Sequence, residues 1–168
     1  MAIAESILPE FDHETATTRT LLERVPADKA EWKPHLRSMS LGQLAMHIAN
    51  LPQWAAIAIE RTEFDTNPPG GSRVMSPPYQ SAQSLLDAYD ANVAAARVLL
   101  SRTTDGEFMV PWTLKNGGKS MFSMPRVAVL RSFVLNHAVH HRGQLSVYLR
   151  LLDVPIPNIY GPTADTQS

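Results

Sequence analysis

The segment that decides the fold is residues 125–153, PRVAVLRSFVLNHAVHHRGQLSVYLRLLD. Its apolar residues recur every three or four positions, which is the spacing of one face of an α-helix. A helix-start signal, Ser123-Met-Pro125, precedes it and Pro155 follows it. The spacing predicts one long helix whose inward face consists of Leu130, Phe133, Val134, His137, His141, Leu145, Tyr148 and Leu152.

Three further segments show helical spacing. The first covers residues 3–25 and ends before Pro26. The second is capped by Ser40 and continues to Ile59, with a kink expected at Pro52, and the third covers residues 81–100. Four helices of roughly 20 to 28 residues predict an all-α four-helix bundle. Because the connecting loops are long, at least one is expected to cross the bundle.

Two stretches between these helices do not suit a helix. Residues 64–80 contain PPGG at 68–71 and PP at 77–78, which predicts a loop. Residues 108–122 contain a small predicted hairpin around Asn116-Gly117-Gly118, although Pro111 weakens its first strand. We find no repeat and no second domain, so residues 1–168 are expected to form a single domain.

The composition excludes several classes of protein. The 168 residues contain no cysteine, which rules out disulfides, cysteine-ligated metal sites and a cysteine nucleophile. The formal net charge is −1, and the basic residues are scattered along the chain. A surface that binds nucleic acid needs clustered positive charge, so nucleic acid is not an expected partner.

A membrane location is also not expected. Residues 38–59 carry no charge and are long enough to span a bilayer, but Gly42, His47, Asn50 and Pro52 interrupt the apolar run. Glu5 lies where a signal peptide would have a basic residue. We therefore predict a cytoplasmic protein.

The candidate chemistry lies in three histidines. His137 and His141 are four residues apart, so on a helix their Cβ atoms lie ~5–6 Å apart on one face. Both fall within an apolar face, where unsatisfied imidazoles are costly. His47 has the same setting on the second helix, between Leu44 and Leu51. The three predict a triad that binds a divalent metal and leaves a position open for water or substrate.

The other interpretation is that each histidine is a core residue with a hydrogen-bonded neighbour. That interpretation suits any one of them alone, whereas three on two inward faces favour a metal. His140 is rotated by about 100° from His141, on the flank of the helix, where it would support a ligand, form an interface or lie partly exposed. His13 and His35 do not lie on an inward face and are not expected to be ligands.

Acid–base residues are not evident in the sequence. Ala138 follows His137 where a zinc protease of the H-E-x-x-H class has its glutamate, so a protease is not expected. We interpret the acidic residues near predicted helix faces as solvated charges: Asp12, Glu14, Asp87 and Asp90. Any activation of a nucleophile is therefore assigned to the metal.

The chain resembles the DinB/YfiT-like family over nearly its whole length. The matching stretches are WKP at 32–34, SLGQLAMHI at 40–48, NHAVHHRGQL at 136–145 and PNIYGP at 157–162. The resemblance implies a bundle of up-down-down-up topology, a homodimer, and metal ligation by His47, His137 and His141. It also implies nickel or zinc, ahead of iron or manganese, and in some relatives a low-molecular-weight thiol used by transferases or isomerases.

Three functional hypotheses stay open. The first is a divalent-metal-dependent enzyme that activates a thiol cofactor or water for transfer or hydrolysis on a small molecule. The second is a non-catalytic, stress-associated bundle that binds a metal or ligand. The third is an interaction protein with three core histidines and no metal. The charged fraction of 18% is below the ~25% of average proteins and adds to the expectation of a homodimer.

Overall fold

The computed structural model describes residues 2–166, which are mostly helical with a small three-stranded sheet. The helices are α1 (Ile3–Leu22), α2 (Leu41–Asn50), α3 (Gln53–Glu60), α4 (Ala82–Arg102), α5 (Asp105–Phe108), α6 (Arg126–Val129) and α7 (His137–Leu151). A 3₁₀ turn, Ala27–Lys29, follows α1, and a π-helical segment, Leu130–Asn136, joins α6 to α7. The strands are β1 (Glu63–Asp65), β2 (Pro111–Asn116) and β3 (Lys119–Pro125).

The sheet shows that the all-α expectation is wrong in part. The predicted hairpin is confirmed, since β2 and β3 pair antiparallel and the turn between them has Gly117 and Gly118 at φ of 62° and 77°. The third strand, β1, lies at the start of the predicted loop and pairs parallel with β2, with Glu63 opposite Thr113. Three residues are too few to show strand periodicity, so the sequence gives no local sign of β1.

The second predicted helix is broken where a kink was expected. Ser40 caps α2 by accepting a hydrogen bond from the Gln43 backbone N–H, while the Gln43 side chain accepts one from the Ser40 N–H. Helix α2 ends at Asn50, and Pro52 immediately precedes the first residue of α3. The proline thus ends one helix and starts the next, as its missing N–H favours.

The last helix differs from the prediction at its start and in its middle. It begins at Arg126 because the predicted start, residues 123–125, belongs to β3. From Leu130 to Asn136 its hydrogen bonds are π-helical, and each i→i+5 bond encloses one residue more than the i→i+4 bond of an α-helix. The side chains before and after this segment therefore do not follow one uniform α-helical face.

The core consists of two clusters of buried apolar residues. One joins α1, α2, α4 and the second half of α7, and the other joins α1, α3 and α4 to the sheet, α6 and the π-helical segment. Along the last helix, the second cluster ends at Leu135 and the first begins at Leu145. The predicted histidine pair lies between them. Within residues 2–166 we find no helix of the length and hydropathy that crossing a membrane requires.

Candidate metal centre

The three predicted histidines lie together. Helix α2 contributes His47, and α7 contributes His137 and His141. The Nε2 atom of His137 lies 2.8 Å from Nε2 of His141 and 3.4 Å from Nε2 of His47. One nitrogen from each ring lies within 4.8 Å of the other two, which is close enough for a single metal ion to contact all three.

Packing between α2 and α7 produces this arrangement. His137 lies in the first turn of α7 and His141 one turn later, so both face α2 from the same side. His47 lies in the last turn of α2, between the buried Leu44 and Leu51. The His47 ring meets the other two nearly edge-on, with centroids 5.2 Å from His137 and 4.5 Å from His141.

Partial burial keeps the three imidazoles neutral. Burial, followed by repulsion from His141, lowers the pKa of His47 to about 4. Burial together with the neighbouring imidazoles lowers the pKa of His137 to about 4 as well. The pKa of His141, whose residue surface is 7% exposed, is also lowered by burial, although its hydrogen bond with Gln144 opposes the shift. At pH 7 each ring therefore has a nitrogen lone pair available for a ligand bond.

The chemistry of these donors fits a divalent transition metal. The Nε2 atoms of His137 and His141, at 2.8 Å, need a hydrogen between them. One hydrogen serves one pair of nitrogens and leaves the third imidazole without a partner. A cation among the three nitrogens accepts all three lone pairs at once. Three imidazoles are also a donor set found in catalytic zinc sites, in which a fourth position stays open.

The remaining histidines lie outside this cluster. His140 is exposed on the flank of α7, with its Nε2 atom 3.1 Å from Nε2 of Gln144. His13 is exposed on α1. His35 is exposed in a loop, where its Nδ1 accepts the backbone N–H of Arg37. Among the described residues, His47, His137 and His141 are the one group of three or more potential metal ligands close enough to share an ion.

Aromatic side chains line one side of the cluster. The ring of Phe133 lies edge-on to His137 at 6.4 Å between centroids. Trp54 from α3 and Phe122 from β3 stack on Phe133 at 5.9 and 5.2 Å. The sheet and α3, neither of which supplies a histidine, thus place an apolar wall beside the candidate metal centre.

The interpretation of Glu14 as a solvated charge is wrong. Its side chain is 13% exposed, and its Oε2 accepts a hydrogen bond from Nη2 of Arg142 at 2.6 Å. Arg142 is 1% exposed; its Nη1 donates to the Glu14 carbonyl oxygen at 3.0 Å and to Thr18 Oγ1 at 3.1 Å. The Tyr160 hydroxyl contacts the same guanidinium group. Arg142 precedes the buried Leu145 and Leu149 by three and seven residues, a helical spacing that marks it as inward.

The sequence places this fold and histidine cluster in a known family. A model of the DinB superfamily matches residues 10–145. The chain therefore belongs to the DinB superfamily, as the four matching stretches indicated.

Individual relatives are similar along nearly the whole chain. The uncharacterized protein YrdA of Bacillus subtilis (strain 168) is 26% identical over 162 residues, which cover 96% of this chain and 90% of that protein. The crystal structure of a DinB-like protein from Bacillus cereus matches with a TM-score of 0.68 and 24% identity, covering 95% of this chain and 98% of that one. That of the DinB-like protein YjoA from B. subtilis matches with a TM-score of 0.68 and 19% identity, covering 94% and 99%. These structures support the fold.

Proposed function

We propose that this protein is a divalent-metal-dependent enzyme in which His47, His137 and His141 are the metal ligands. The observation that carries the proposal is the convergence of three neutral imidazoles, with Nε2 separations of 2.8 and 3.4 Å. Membership of the DinB superfamily supports it. The reaction we propose is transfer or hydrolysis on a small molecule, with a low-molecular-weight thiol or water as the nucleophile.

The donor set determines what the site favours. A divalent ion bound there supplies a Lewis acid that lowers the pKa of a thiol or water. Three neutral imidazoles do not compensate the positive charge of such an ion, so the site favours an anionic partner such as a thiolate. Imidazole nitrogens suit nickel, zinc and iron better than magnesium or calcium, and we favour nickel or zinc over iron or manganese.

In this proposal the protein side chains bind the metal and exclude water. They do not transfer protons. Burial of His141 and the apolar wall at Phe133 limit the access of water from one side of the cluster. Ala138 occupies the position at which zinc proteases of the H-E-x-x-H class have a glutamate base. We therefore propose no protease activity and assign no general base to the chain.

Metal binding is the first test. Protein purified without chelator is expected to contain one divalent ion per chain, and His47→Ala, His137→Ala and His141→Ala are each expected to weaken zinc binding by at least ~100-fold. His13→Ala and His35→Ala are matched controls, because both histidines are exposed and lie outside the cluster. Equal losses in the controls and in His47→Ala would contradict the ligand assignment.

The second test separates thiol from water. When the cobalt-substituted protein binds a low-molecular-weight thiol, we expect a change in its visible spectrum and proton release near neutral pH, because a metal-ligating thiol is deprotonated. Thiol-independent hydrolysis of an ester, lost in His137→Ala, would refute the thiol version and retain the metal site. Metal binding without turnover across a broad screen of thiols and electrophiles would favour the non-catalytic, stress-associated binding protein.

Assembly and location complete the proposal. We propose a single-domain, cytoplasmic protein that forms a homodimer, with its four long helical segments in the up-down-down-up order of a four-helix bundle. The low charged fraction and the exposed Val147 and Leu151 on α7 support the dimer. Light scattering is expected to give twice the chain mass of 18.6 kDa, and a monomer mass at high concentration would overturn this.

A further inference from the structure

The side chain of Gln144 bridges two histidines on the outer side of the cluster. Its Oε1 lies 2.7 Å from Nδ1 of His141, and its Nε2 lies 3.1 Å from Nε2 of His140. All three residues are on α7, where spacings of three and four residues bring side chains together. Gln144 is exposed, so it contacts the candidate ligand His141 from the solvent side.

The two ends of an amide group have opposite hydrogen-bonding roles. The Oε1 atom only accepts, so Nδ1 of His141 carries the hydrogen and donates it. The amide nitrogen donates, so Nε2 of His140 accepts. With its hydrogen on Nδ1, His141 has its lone pair on Nε2, the atom that lies 2.8 Å from Nε2 of His137.

The reversed amide orientation would have the opposite effect on His141. If Gln144 turned by 180°, its amide nitrogen would donate to Nδ1 of His141, and the imidazole hydrogen would then lie on Nε2. That hydrogen would point into the cluster and remove one of the three lone pairs. The orientation in the structure, with Oε1 towards His141 and Nε2 towards His140, is the one that leaves the His141 lone pair on Nε2.

We propose that Gln144 is a positioning residue that holds His141 in the Nδ1–H tautomer and thereby keeps its Nε2 free for a metal ion. The ligand role of His141 rests on the proposed function, whereas the tautomer is a property of the chain alone. Hydrogen bonds to the outer nitrogen of a ligating imidazole fix its tautomer and orientation in metal sites generally. Here a solvent-exposed glutamine makes that bond.

Three variants test the role of Gln144. Gln144→Met keeps the side-chain length and removes both hydrogen-bonding ends, and Gln144→Glu retains the acceptor for His141. Gln83→Met is the matched control, because Gln83 is an exposed helical glutamine on α4 that makes one bond, to Asp87 four residues later. Both positions are exposed, so the three substitutions are not expected to unfold the protein.

The first measurement is the imidazole tautomer in the metal-free protein, read from ¹⁵N NMR at pH 7. We expect the Nδ1–H tautomer at His141 in the starting protein, in Gln144→Glu and in Gln83→Met, and a mixture of tautomers in Gln144→Met. The second measurement is the affinity for zinc ion alone. Gln144→Met is expected to bind ~10- to 100-fold more weakly, with Gln144→Glu restoring the affinity and Gln83→Met leaving it unchanged.

Each outcome decides one of the two proposals. An Nε2–H tautomer at His141 in the starting protein, or a Gln144→Met variant with an unchanged tautomer, would overturn the role of Gln144. Failure of the starting protein to bind zinc would contradict the proposed function, while the tautomer measurement would still decide for or against Gln144. Weaker zinc binding in both Gln144 variants, without rescue by glutamate, would also overturn the positioning role.

Discussion

His141 and Arg142 are neighbours in α7, and both are buried, but their side chains have opposite kinds of surroundings. Arg142 is charged, and Glu14, Thr18 and Tyr160 all contact its guanidinium group. His141 is neutral, and its Nε2 faces another imidazole. A buried polar group whose donors are met by other elements of the fold stabilises that fold. Buried lone pairs that converge on one another form a site for a ligand.

The two regions also differ in what a substitution leaves behind. Removing Arg142 leaves the Glu14 carboxylate buried without its partner, which is the costly way to disrupt a buried ion pair. Removing His137 leaves two neutral imidazoles and no buried charge without a partner. Substitutions around Arg142 should therefore lower folding stability, and substitutions in the histidine cluster should lower metal affinity.

The largest change in stability expected from a single substitution is at Arg142. Arg142→Met should lower the free energy of unfolding by about 4 kcal/mol, because the Glu14 carboxylate loses its buried partner. Urea unfolding of the metal-free protein measures this. Arg97→Met is the matched control: Arg97 binds Asp12 bidentately, but the two side chains are 53% and 41% exposed, so a much smaller loss is expected. Similar losses in the two variants would remove the distinction between the regions.

A second effect on stability is expected from pH, and it should come from the histidines. The pKa of His47 and of His137 falls from 6.5 to about 4 on folding, so between these values the unfolded chain binds protons that the folded one does not. The metal-free protein should therefore lose stability as the pH falls from 6.5 towards 4. Unfolding midpoints at pH 7, 6 and 5 measure the slope, above the range near 4 in which ordinary carboxyl groups titrate.

The control for this pH dependence is the double variant His47→Gln/His137→Gln. It should show a flatter slope between pH 6.5 and 5, because glutamine does not titrate. An unchanged slope would mean that other groups cause the acid sensitivity. The loss of stability at acid pH would then not come from the histidines of the candidate site.

The smallest expected effect is at Tyr160, which lies at the edge of the Arg142 region. Its hydroxyl donates to Glu14 Oε2 at 2.9 Å, and its ring lies 4.9 Å from the Arg142 guanidinium carbon. Tyr160→Phe keeps the ring and removes the hydroxyl, so we expect a loss of at most about 1 kcal/mol by urea unfolding. Tyr79→Phe is the control and should cost less, since the buried Tyr79 hydroxyl has no hydrogen-bond partner among residues 2–166. A loss as large as that of Arg142→Met would make the hydroxyl essential to the pair.

The parts of the structure that the sequence predicts are those governed by local spacing. The helices, the Ser40 cap, the break at Pro52 and the glycine turn of the hairpin each depend on residues a few positions apart. The contact between His137 and His141 is of the same kind. His47 joined them by inference, because its inward position on α2 is readable from its neighbours Leu44 and Leu51.

The parts that sequence reasoning missed depend on distant or non-uniform geometry. Strand β1 forms only because β2, from much later in the chain, is there to pair with it. Glu14 and Arg142 are 128 residues apart, so neither has a local sign of its partner. The π-helical segment keeps an apolar spacing close to that of an α-helix, and only its hydrogen bonds distinguish the two.

The π-helical segment Leu130–Asn136 has a consequence for how this protein tolerates changes in length. A π turn holds one residue more than an α turn, so loss of a single residue there could be absorbed by closing the turn as an ordinary helix. The part of α7 that carries His137 and His141 would keep its position, because Arg142 binds Thr18 of α1 and Leu145 packs in the core. Closing that turn would move α6 and β3 relative to α7, so this segment is where the sheet side of the fold can adjust while the histidines stay in register with α2.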